Sequence, residues 1–349
     1  MKKHVLPAIL LSAALAAAAF TGSVSAETVD QYRSELTNEW IDSSLKDQRP
    51  VAITVDNEVI ALDHFGSNQA DICYEIMNST ANGRVTRLMY VVKDWENLEQ
   101  FGSIRSARPT NFMLAAEYNA MLVHDGGPFY INDYVAKNYT NNLSGGFARF
   151  SNGKDTEFTE YVTSQPYTNP KTGSSYAGLI DRVAQAGYSR TYTDLYEGPH
   201  FSFSDFEFTL DDAADAVDAM LISLPFPHNE SKLAYNFETG TYDYYEYGKA
   251  HLDALDGMIS TYKNVILQDC DFTLLDENGY MVYNLTTSAV HDGYYLTNGK
   301  AIPITWSKDT ESGITAYKNA ATGEPLMLNT GKTYIAIIPS DSFASLSIQ

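Results

Sequence analysis

Cysteine is scarce in this chain of 349 residues, which contains only Cys73 and Cys270. Small exported proteins that depend on disulfides carry many more cysteines, so a scaffold held by disulfides is excluded. Both cysteines lie in apolar, strand-like stretches, which favours two buried free thiols over a bridge between the two halves of the chain. A metal site built on cysteine needs a second thiol or a histidine close by. We therefore expect no metal site and no cofactor.

Positive charge is scarce as well. The chain has 23 Lys and Arg residues and 44 Asp and Glu residues, which gives a formal net charge of −21 at pH 7. Nucleic acids and anionic membrane surfaces attract proteins through accumulated Lys and Arg side chains. Nucleic-acid binding is therefore excluded as a function class.

Long apolar runs are limited to one, near the N-terminus. Residues 1–26 have a short basic start, an apolar run from about Val5 to Phe20 and small residues before Glu27, which is typical of a secretory signal peptide. The run is shorter than the ~20 residues that span a bilayer. We predict cleavage after Ala26, no membrane span, and a mature protein that is secreted or associated with the cell envelope. No cysteine stands at the cleavage point, so we expect no lipid anchor.

The length of the remaining chain favours two domains. Residues 27–48 are predicted to form a polar leader segment with a weak helical pattern that Arg49-Pro50 ends. Residues 49–208 are predicted to form an N-terminal mixed α/β domain. Its predicted elements are strands at 51–57, 71–77 and 85–92 and a helix at 174–187, with a serine as N-cap and Gly187 at the C-terminus.

The second half has the pattern of an all-β region. Acidic residues dominate 205–218, where the hydrophobic period also changes, so we place the domain boundary there and assign 209–349 to a C-terminal β domain. Glu238-Thr239-Gly240 between two apolar runs is a hairpin signal, and short strands continue to Ile338. The predicted fold class is α+β, an N-terminal mixed α/β domain followed by a mainly antiparallel β domain, built as a sheet or a small barrel.

Most of the candidate functional residues lie between Phe101 and Tyr130. Arg105 and Arg108 stand just before Pro109, and proline suits the first turn of a helix because its missing N–H would have no partner there. We predict a helix from Pro109, then a strand at 121–123 and a glycine turn. Helix N-termini carry partial positive charge, so two cations at this position need a negative partner.

Four of the nine arginines fall within 25 positions of this acidic chain. Guanidinium groups bind carboxylate or phosphate in bidentate geometry, so the sequence predicts a site for an anionic ligand. The alternative is a structural network in which acids of the chain itself pair with the arginines. The acids that could do so are Asp56, Asp71, Glu75 and Glu117. The residues predicted to bind a ligand are Arg84, Arg87, Arg105, Ser106, Arg108, His124, Gly126 and Gly127.

A catalytic alternative rests on His124, which precedes the glycine turn. A base at a strand end could act with Asp56 or Glu75 in a hydrolase for envelope polymers. The competing interpretation is a histidine that is hydrogen-bonded within the structure. No serine or cysteine lies in a nucleophile context, which argues against acyl transfer. The long connection 129–173, rich in Asn, Tyr, Ser and Gly, could form a lid over the arginine site.

Short motifs in both halves carry a family resemblance. They are Arg49-Pro50-Val51-Ala52, Asp71-Ile72 with Tyr74-Glu75, Arg105-Ser106-Ala107-Arg108-Pro109, Gly248-Lys249-Ala250-His251 and Thr305-Trp306-Ser307-Lys308. In these the chain resembles the YerB-like lipoproteins of Gram-positive bacteria, domains of unknown function. The resemblance implies an N-terminal α/β and a C-terminal β domain and supplies no substrate. Members of that family usually keep a cysteine at the cleavage site, and this chain has none there.

The leading prediction is an exported, non-enzymatic binding or interaction protein of the cell envelope. Its arginine-lined pocket would accept an anion, and its partner would be an anionic small molecule, a cell-wall component or another envelope protein. The alternatives are the hydrolase that uses His124 and a scaffold without a pocket.

Overall fold

The computed structural model of the chain describes residues 30–349. The predicted signal peptide and the first residues of the predicted leader lie outside this range. Sheet dominates the described residues and helices are few, because most apolar runs are short, rich in β-branched and aromatic residues, and bounded by turn residues. Within residues 30–349, no helix combines the length and the hydrophobicity that crossing a bilayer requires.

The strands before residue 200 include three long ones in which every residue is buried, β3 to β5. In chain order they are β1 (Gln31–Arg33), β2 (Trp40–Asp42), β3 (Val51–Asp56), β4 (Ile72–Met77), β5 (Thr86–Val92), β6 (Phe101–Gly102), β7 (Met121–His124), β8 (Asn142–Ser144), β9 (Ala148–Arg149), β10 (Glu160–Val162), β11 (Tyr167–Thr168) and β12 (Ser175–Tyr176).

The later strands include the longest of the protein. They are β13 (Ser202–Phe203), β14 (Val217–Asp218), β15 (Leu221–Ser223), β16 (Lys232–Asn236), β17 (Thr241–Glu246), β18 (Lys249–Ala250), β19 (Thr261–Tyr262), β20 (Asn264–Cys270), β21 (Phe272–Leu274), β22 (Met281–Tyr283), β23 (Thr287–Thr297), β24 (Lys300–Lys308), β25 (Ala316–Asn319), β26 (Met327–Leu328), β27 (Thr333–Pro339) and β28 (Ser347–Ile348).

The helices are short. They are α1 (Pro109–Glu117), α2 (Asn132–Val135), α3 (Leu179–Gln185) and α4 (Ser340–Phe343). Single 3₁₀ turns occupy Ser43–Leu45, Val59–Ala61, Ser67–Gln69, Trp95–Asn97, Phe129–Ile131 and Thr156–Phe158. The predicted helix start at Pro109 is confirmed, and the side-chain oxygen of Asn111 accepts a hydrogen bond from the backbone N–H of Arg108 at 2.7 Å. This bond satisfies one of the donors that a helix start leaves free.

The main sheet has 11 strands drawn from both halves of the chain. Their order is β14-β24-β23-β20-β27-β4-β5-β3-β7-β8, with β25 added to β24. The C-terminal strand β27 lies between β20 and β4 and is parallel to both. The sheet thus continues across the boundary predicted near residue 209, which itself stays a prediction.

Two apolar clusters cover the main sheet, because successive side chains of a strand point to opposite faces. On β3, Val51 and Ile53 belong to the cluster that contains Tyr242 and Tyr244 of β17. Ala52 belongs to the cluster that contains Phe112 and other residues of α1. We call the first side the sheet face and the second side the helix face.

A second sheet covers the sheet face. Its order is β18-β17-β16-β15-β28, with β19 added to β17, and every neighbouring pair in it is antiparallel. Residues alternate strictly between buried and half-buried along β17, as expected for a strand with one face on the core. The predicted hairpin is confirmed, since residues 237–240 connect β16 to β17 and Gly240 has a φ of +69° that glycine adopts without strain.

Three local predictions differ from the structure. The helical pattern in the leader is wrong, because residues 31–42 form the hairpin β1–β2 around a turn in which Asn38 has a φ of +58°. The predicted helix at 174–187 is shorter and begins at Leu179, because Ser175 pairs with Thr168 in the hairpin β11–β12. The mixed α/β character of residues 49–208 is not confirmed, since strands form most of its regular structure. The two buried free cysteines are confirmed.

Candidate functional site

Strand register brings three of the predicted arginines together. Asp56 ends β3, and Arg87 lies opposite it in the antiparallel pair β3–β5. Alternation along both strands directs these two side chains to the helix face, where the chain passes Arg105 and enters α1 at Arg108. Each of the three guanidinium groups is close enough to affect the pKa of another. We call Arg87, Arg105 and Arg108 the arginine cluster.

Arg105 is paired within the protein. Its Nε contacts Asp56 Oδ2, and its Nη1 lies 2.8 Å from Glu157 Oε2. The guanidinium lies over the ring of Phe158, 5.0 Å from the ring centre. The predicted internal pairing is therefore confirmed for Arg105 and Asp56. Glu157 and Phe158 belong to the connection 129–173, whose role as a lid stays a prediction.

Arg87 is buried, and no acidic side chain of residues 30–349 forms an ion pair with it. Its exposed fraction is 7%, and its Nη1 donates to the backbone oxygen of Ser106 at 2.6 Å. Its Nε is buried and has no hydrogen-bond partner among residues 30–349. Over the same residues, no carboxylate oxygen lies within 4.0 Å of its guanidinium. Burial lowers the pKa of Arg87 to about 10, although Asp56 opposes this effect.

Arg108 has a similar environment. Its exposed fraction is 9%, its Nη1 donates to the backbone oxygen of Ala107 at 3.0 Å, and its Nε is buried without a partner in the described part of the chain. Its guanidinium lies 5.0 Å from the ring centre of Tyr280. Burial, followed by the positive charge of Arg87, lowers the pKa of Arg108 to about 9. No carboxylate of residues 30–349 comes within 4.0 Å.

The fourth predicted arginine is engaged elsewhere. Arg84 forms a bidentate pair with Asp341 of α4, with nitrogen–oxygen distances of 2.7 and 2.5 Å. Both side chains are partly exposed. A surface pair of this kind contributes little to stability, and Arg84 is not part of the arginine cluster.

The glycine turn after β7 is held by backbone contacts. His124 is buried, and its Nδ1 lies 2.7 Å from the backbone oxygen of Gly126 while its Nε2 lies 3.2 Å from Asn142 Nδ2. Burial lowers the pKa of His124. A Cβ on Gly127 would come within 2.9 Å of the Ala107 backbone oxygen, so glycine is required there. These contacts give His124 and the glycines a structural task, and their part in ligand binding stays a prediction.

The carboxylates predicted to act with His124 have other partners. Glu75 points to the sheet face because it alternates with the residues of β4 that face α1, whereas His124 points to the helix face. Glu75 accepts hydrogen bonds from Asn229 at 2.7 Å and from the Tyr244 hydroxyl at 3.0 Å. Asp56 is bonded to Arg105. Among the described residues, no hydrogen bond joins His124 to either carboxylate, and the hydrolase stays a prediction.

The other two acids considered as partners for the arginines also lie elsewhere. Glu117 contacts Lys308 and His200 at the far end of α1. Asp71 accepts a hydrogen bond from the backbone N–H of Lys93 at 2.7 Å. The internal network predicted from the sequence is therefore only partly filled, and among residues 30–349 two of the three cationic groups of the cluster have no carboxylate within 4.0 Å.

A second polar cluster was missed by sequence reasoning. His64, Glu246 and His251 meet on the sheet face, and all three are buried. Glu246 ends β17 and His251 follows β18, so these two lie close together in the sequence, whereas His64 comes from the distant connection between β3 and β4. The alternating pattern of β17 could have marked Glu246 as an inward-facing acid, but nothing in the sequence indicates that His64 lies next to it.

Two family profiles match the chain. One, described as "Protein of unknown function (DUF3048) N-terminal domain", matches residues 36–179, and the corresponding C-terminal domain matches residues 222–335. The chain belongs to this family. The resemblance drawn from the motifs is therefore confirmed, together with a layout of two family domains.

Known relatives agree with this family membership. The chain is 24% identical over 334 residues to the Bacillus subtilis (strain 168) protein named "Putative lipoprotein YerB", which covers 92% of this chain and 90% of that protein. The crystal structure of the YerB protein from Bacillus subtilis matches with a TM-score of 0.70 at 19% identity, over 91% of this chain and 99% of that chain. These matches establish the fold of the family.

Proposed function

We propose that this protein is an exported binding protein of the cell envelope that holds an anionic group between Arg87 and Arg108. The observation that carries the proposal is the pair of buried guanidinium groups, which have no carboxylate of residues 30–349 within 4.0 Å. Buried charges in proteins are as a rule paired or bound to a ligand. One bound anion would pair with both groups at once.

The two guanidinium groups remain charged at neutral pH. Their pKa values are lowered to about 10 and about 9, with burial as the first cause and mutual repulsion adding to it for Arg108. The positive charge of Arg87 therefore disfavours the charge of Arg108, and both side chains are buried. An anion bound to both would replace this repulsion with two attractive interactions and would use the free Nε–H donors.

The chemistry of the two guanidinium groups suits a carboxylate or a phosphate group. Guanidinium groups bind these planar or tetrahedral oxyanions with two hydrogen bonds each. The ring of Tyr280 below Arg108 and the start of α1, whose backbone favours negative charge, add to the same preference. An anionic small molecule or an anionic fragment of the cell wall has this chemistry. An envelope location is supported by the signal-like N-terminus and by the name of the Bacillus subtilis relative, which calls that protein a lipoprotein.

Calorimetric titration of the purified chain with inorganic phosphate, citrate and anionic cell-wall fragments tests the proposal. Arg87→Met and Arg108→Met should each weaken binding about 10-fold or more, because charge-assisted hydrogen bonds contribute ~1.5–3 kcal/mol. Arg84→Met is the matched control, since Arg84 is paired with Asp341 outside the cluster, and it should bind as the unmodified chain does. An equal loss in Arg84→Met, or no binding of any of these anions, contradicts the proposal.

A further inference from the structure

Three buried donor groups meet on the sheet face, on the other side of the main sheet from the arginine cluster. One ring nitrogen of His64, one of His251 and one carboxylate oxygen of Glu246 lie within 4.8 Å of one another. Their exposed fractions are 1%, 2% and 1%. We propose that these side chains bind one divalent transition-metal ion, with Zn²⁺ as the natural candidate, because imidazole nitrogen and carboxylate oxygen are its usual protein ligands.

His64 presents a lone pair without a partner. Its Nε2 lies 2.6 Å from the backbone oxygen of Asp56. A carbonyl oxygen can only accept, so Nε2 carries the proton and Nδ1 keeps its lone pair. This Nδ1 is buried and has no hydrogen-bond partner among residues 30–349. A metal ion at Nδ1 would use the lone pair that the protein itself leaves unused.

His251 offers its Nδ1, the ring nitrogen that faces Glu246. This Nδ1 lies 2.7 Å from Glu246 Oε1, so an ion held by both side chains would take the place of the proton between these two atoms. The ring centres of His64 and His251 are 4.9 Å apart, with the ring planes tilted by 58°. Two imidazoles that share one tetrahedral ion at metal–nitrogen distances of about 2.0–2.1 Å have ring centres roughly 5 Å apart. The two rings already have the spacing that a shared ion requires.

The surroundings of the three groups resemble those of a metal site. Histidines that bind metals usually donate their other ring N–H to a carbonyl or carboxylate, and His64 does so towards Asp56. Glu246 is oriented by Asn229, whose Nδ2 donates to Oε2 at 3.3 Å. Within residues 30–349, no Lys or Arg nitrogen lies within 4.0 Å of the Glu246 carboxylate. A dication would supply a positive charge next to this buried acid.

The position of the site indicates a structural role. His64 lies in the connection between β3 and β4 of the main sheet, whereas Glu246 ends β17 and His251 follows β18 in the second sheet. An ion bound by all three would cross-link the two sheets. Coordination of this kind couples metal binding to folding, because the unfolded chain does not hold the ligands together.

Metal analysis of the purified, tag-free chain tests this proposal. After dialysis against a chelator, titration with ZnCl₂ followed by mass spectrometry for zinc should give one tightly held ion per chain and a raised melting temperature. Substitution of a ligand should weaken Zn²⁺ binding at least ~100-fold in His64→Gln, His251→Gln and Glu246→Gln, since even loss of an outer-shell partner costs 10–100-fold. His228→Gln is the matched control, because His228 is half-buried and its Nδ1 lies 2.9 Å from the backbone oxygen of Asn82, and it should retain the ion.

A measurement on the unmodified chain keeps the test decisive if the substitutions prevent folding. Crystals grown with ZnCl₂ and measured at the zinc absorption edge should show an anomalous density peak between His64, Glu246 and His251. Zinc bound only at the surface, binding that persists in the ligand variants, or the lack of a peak at this position would each overturn the proposal. None of these results depends on anion binding at the arginine cluster.

Discussion

Lys308 Nζ lies 2.9 Å from Glu117 Oε1, and both side chains are completely buried. Glu117 ends α1 in the first half of the chain, and Lys308 ends β24 in the second half. The carboxylate also accepts hydrogen bonds from the hydroxyl and the backbone N–H of Thr315, and His200 Nε2 lies 2.5 Å from its Oε2. The pair therefore joins α1 to β24 of the main sheet, and both oxygens of the Glu117 carboxylate have hydrogen-bond partners.

Removing the charge of only one partner of this pair should strongly destabilise the protein. Glu117→Gln leaves the ammonium group of Lys308 buried without its counter-charge, and the loss of one partner of a buried pair costs about 3–5 kcal/mol. Urea unfolding followed by circular dichroism measures this loss. Arg190→Gln is the control, because Arg190 and Glu96 form a pair at the surface, and it should cost less than ~1 kcal/mol.

Removing both charges should be tolerated better than removing one. We expect the double variant Glu117→Gln with Lys308→Met to recover most of the stability that Glu117→Gln loses, since no uncompensated charge then remains buried. The same urea experiment provides the full double-mutant cycle. If the double variant is as unstable as the sum of the two single variants, the charges do not interact as the structure indicates.

The same carboxylate makes the protein sensitive to acid. Burial raises the pKa of Glu117, but Lys308 and His200 outweigh this effect and lower the pKa from 4.5 to about 2. A lowered acid pKa contributes stability above the unfolded value, which is lost as the pH falls through the folded value. We therefore expect the folded chain to lose about 3 kcal/mol between about pH 5 and pH 2 through this group. Urea midpoints across this range should fall less steeply for Glu117→Gln.

In the absence of a bound anion, we expect substitutions of Arg105 and Arg108 to have different effects on stability. Arg105→Met leaves Asp56 buried without its partner and should destabilise the chain by about 3 kcal/mol. Arg108→Met removes a buried charge that has no acidic partner among residues 30–349, so stability should be unchanged or raised. Thermal unfolding in a buffer without phosphate or carboxylates measures both. If Arg108→Met loses as much stability as Arg105→Met, then Arg108 has a structural role within the protein and is not available to bind a ligand.

Local patterns in the sequence predict the elements around the site, because they depend on neighbouring residues. The start of α1 follows from Pro109, and the buried strand β3 follows from its β-branched run. The partners of each charge depend on which face a side chain takes and on pairing between distant strands. Alternation along β4 could have shown that Glu75 turns away from the arginines, whereas nothing local indicates that β27 lies beside β4. The proximity of His64 to Glu246 could not be predicted for the same reason, because the two residues belong to segments that are distant in the sequence.

The position of β27 bears on the predicted boundary at residue 209. β4 is buried along its whole length and is bonded to β5 on one side and to β27 on the other. A chain that ends at residue 208 keeps β5 but exposes a long apolar edge of β4, and such edges promote aggregation. We expect a fragment of residues 27–208 to lack cooperative unfolding by circular dichroism, and its amide NMR signals to gain dispersion only after addition of residues 209–349. A fragment 27–208 that unfolds cooperatively on its own would show that the two halves are independent domains despite their shared sheet.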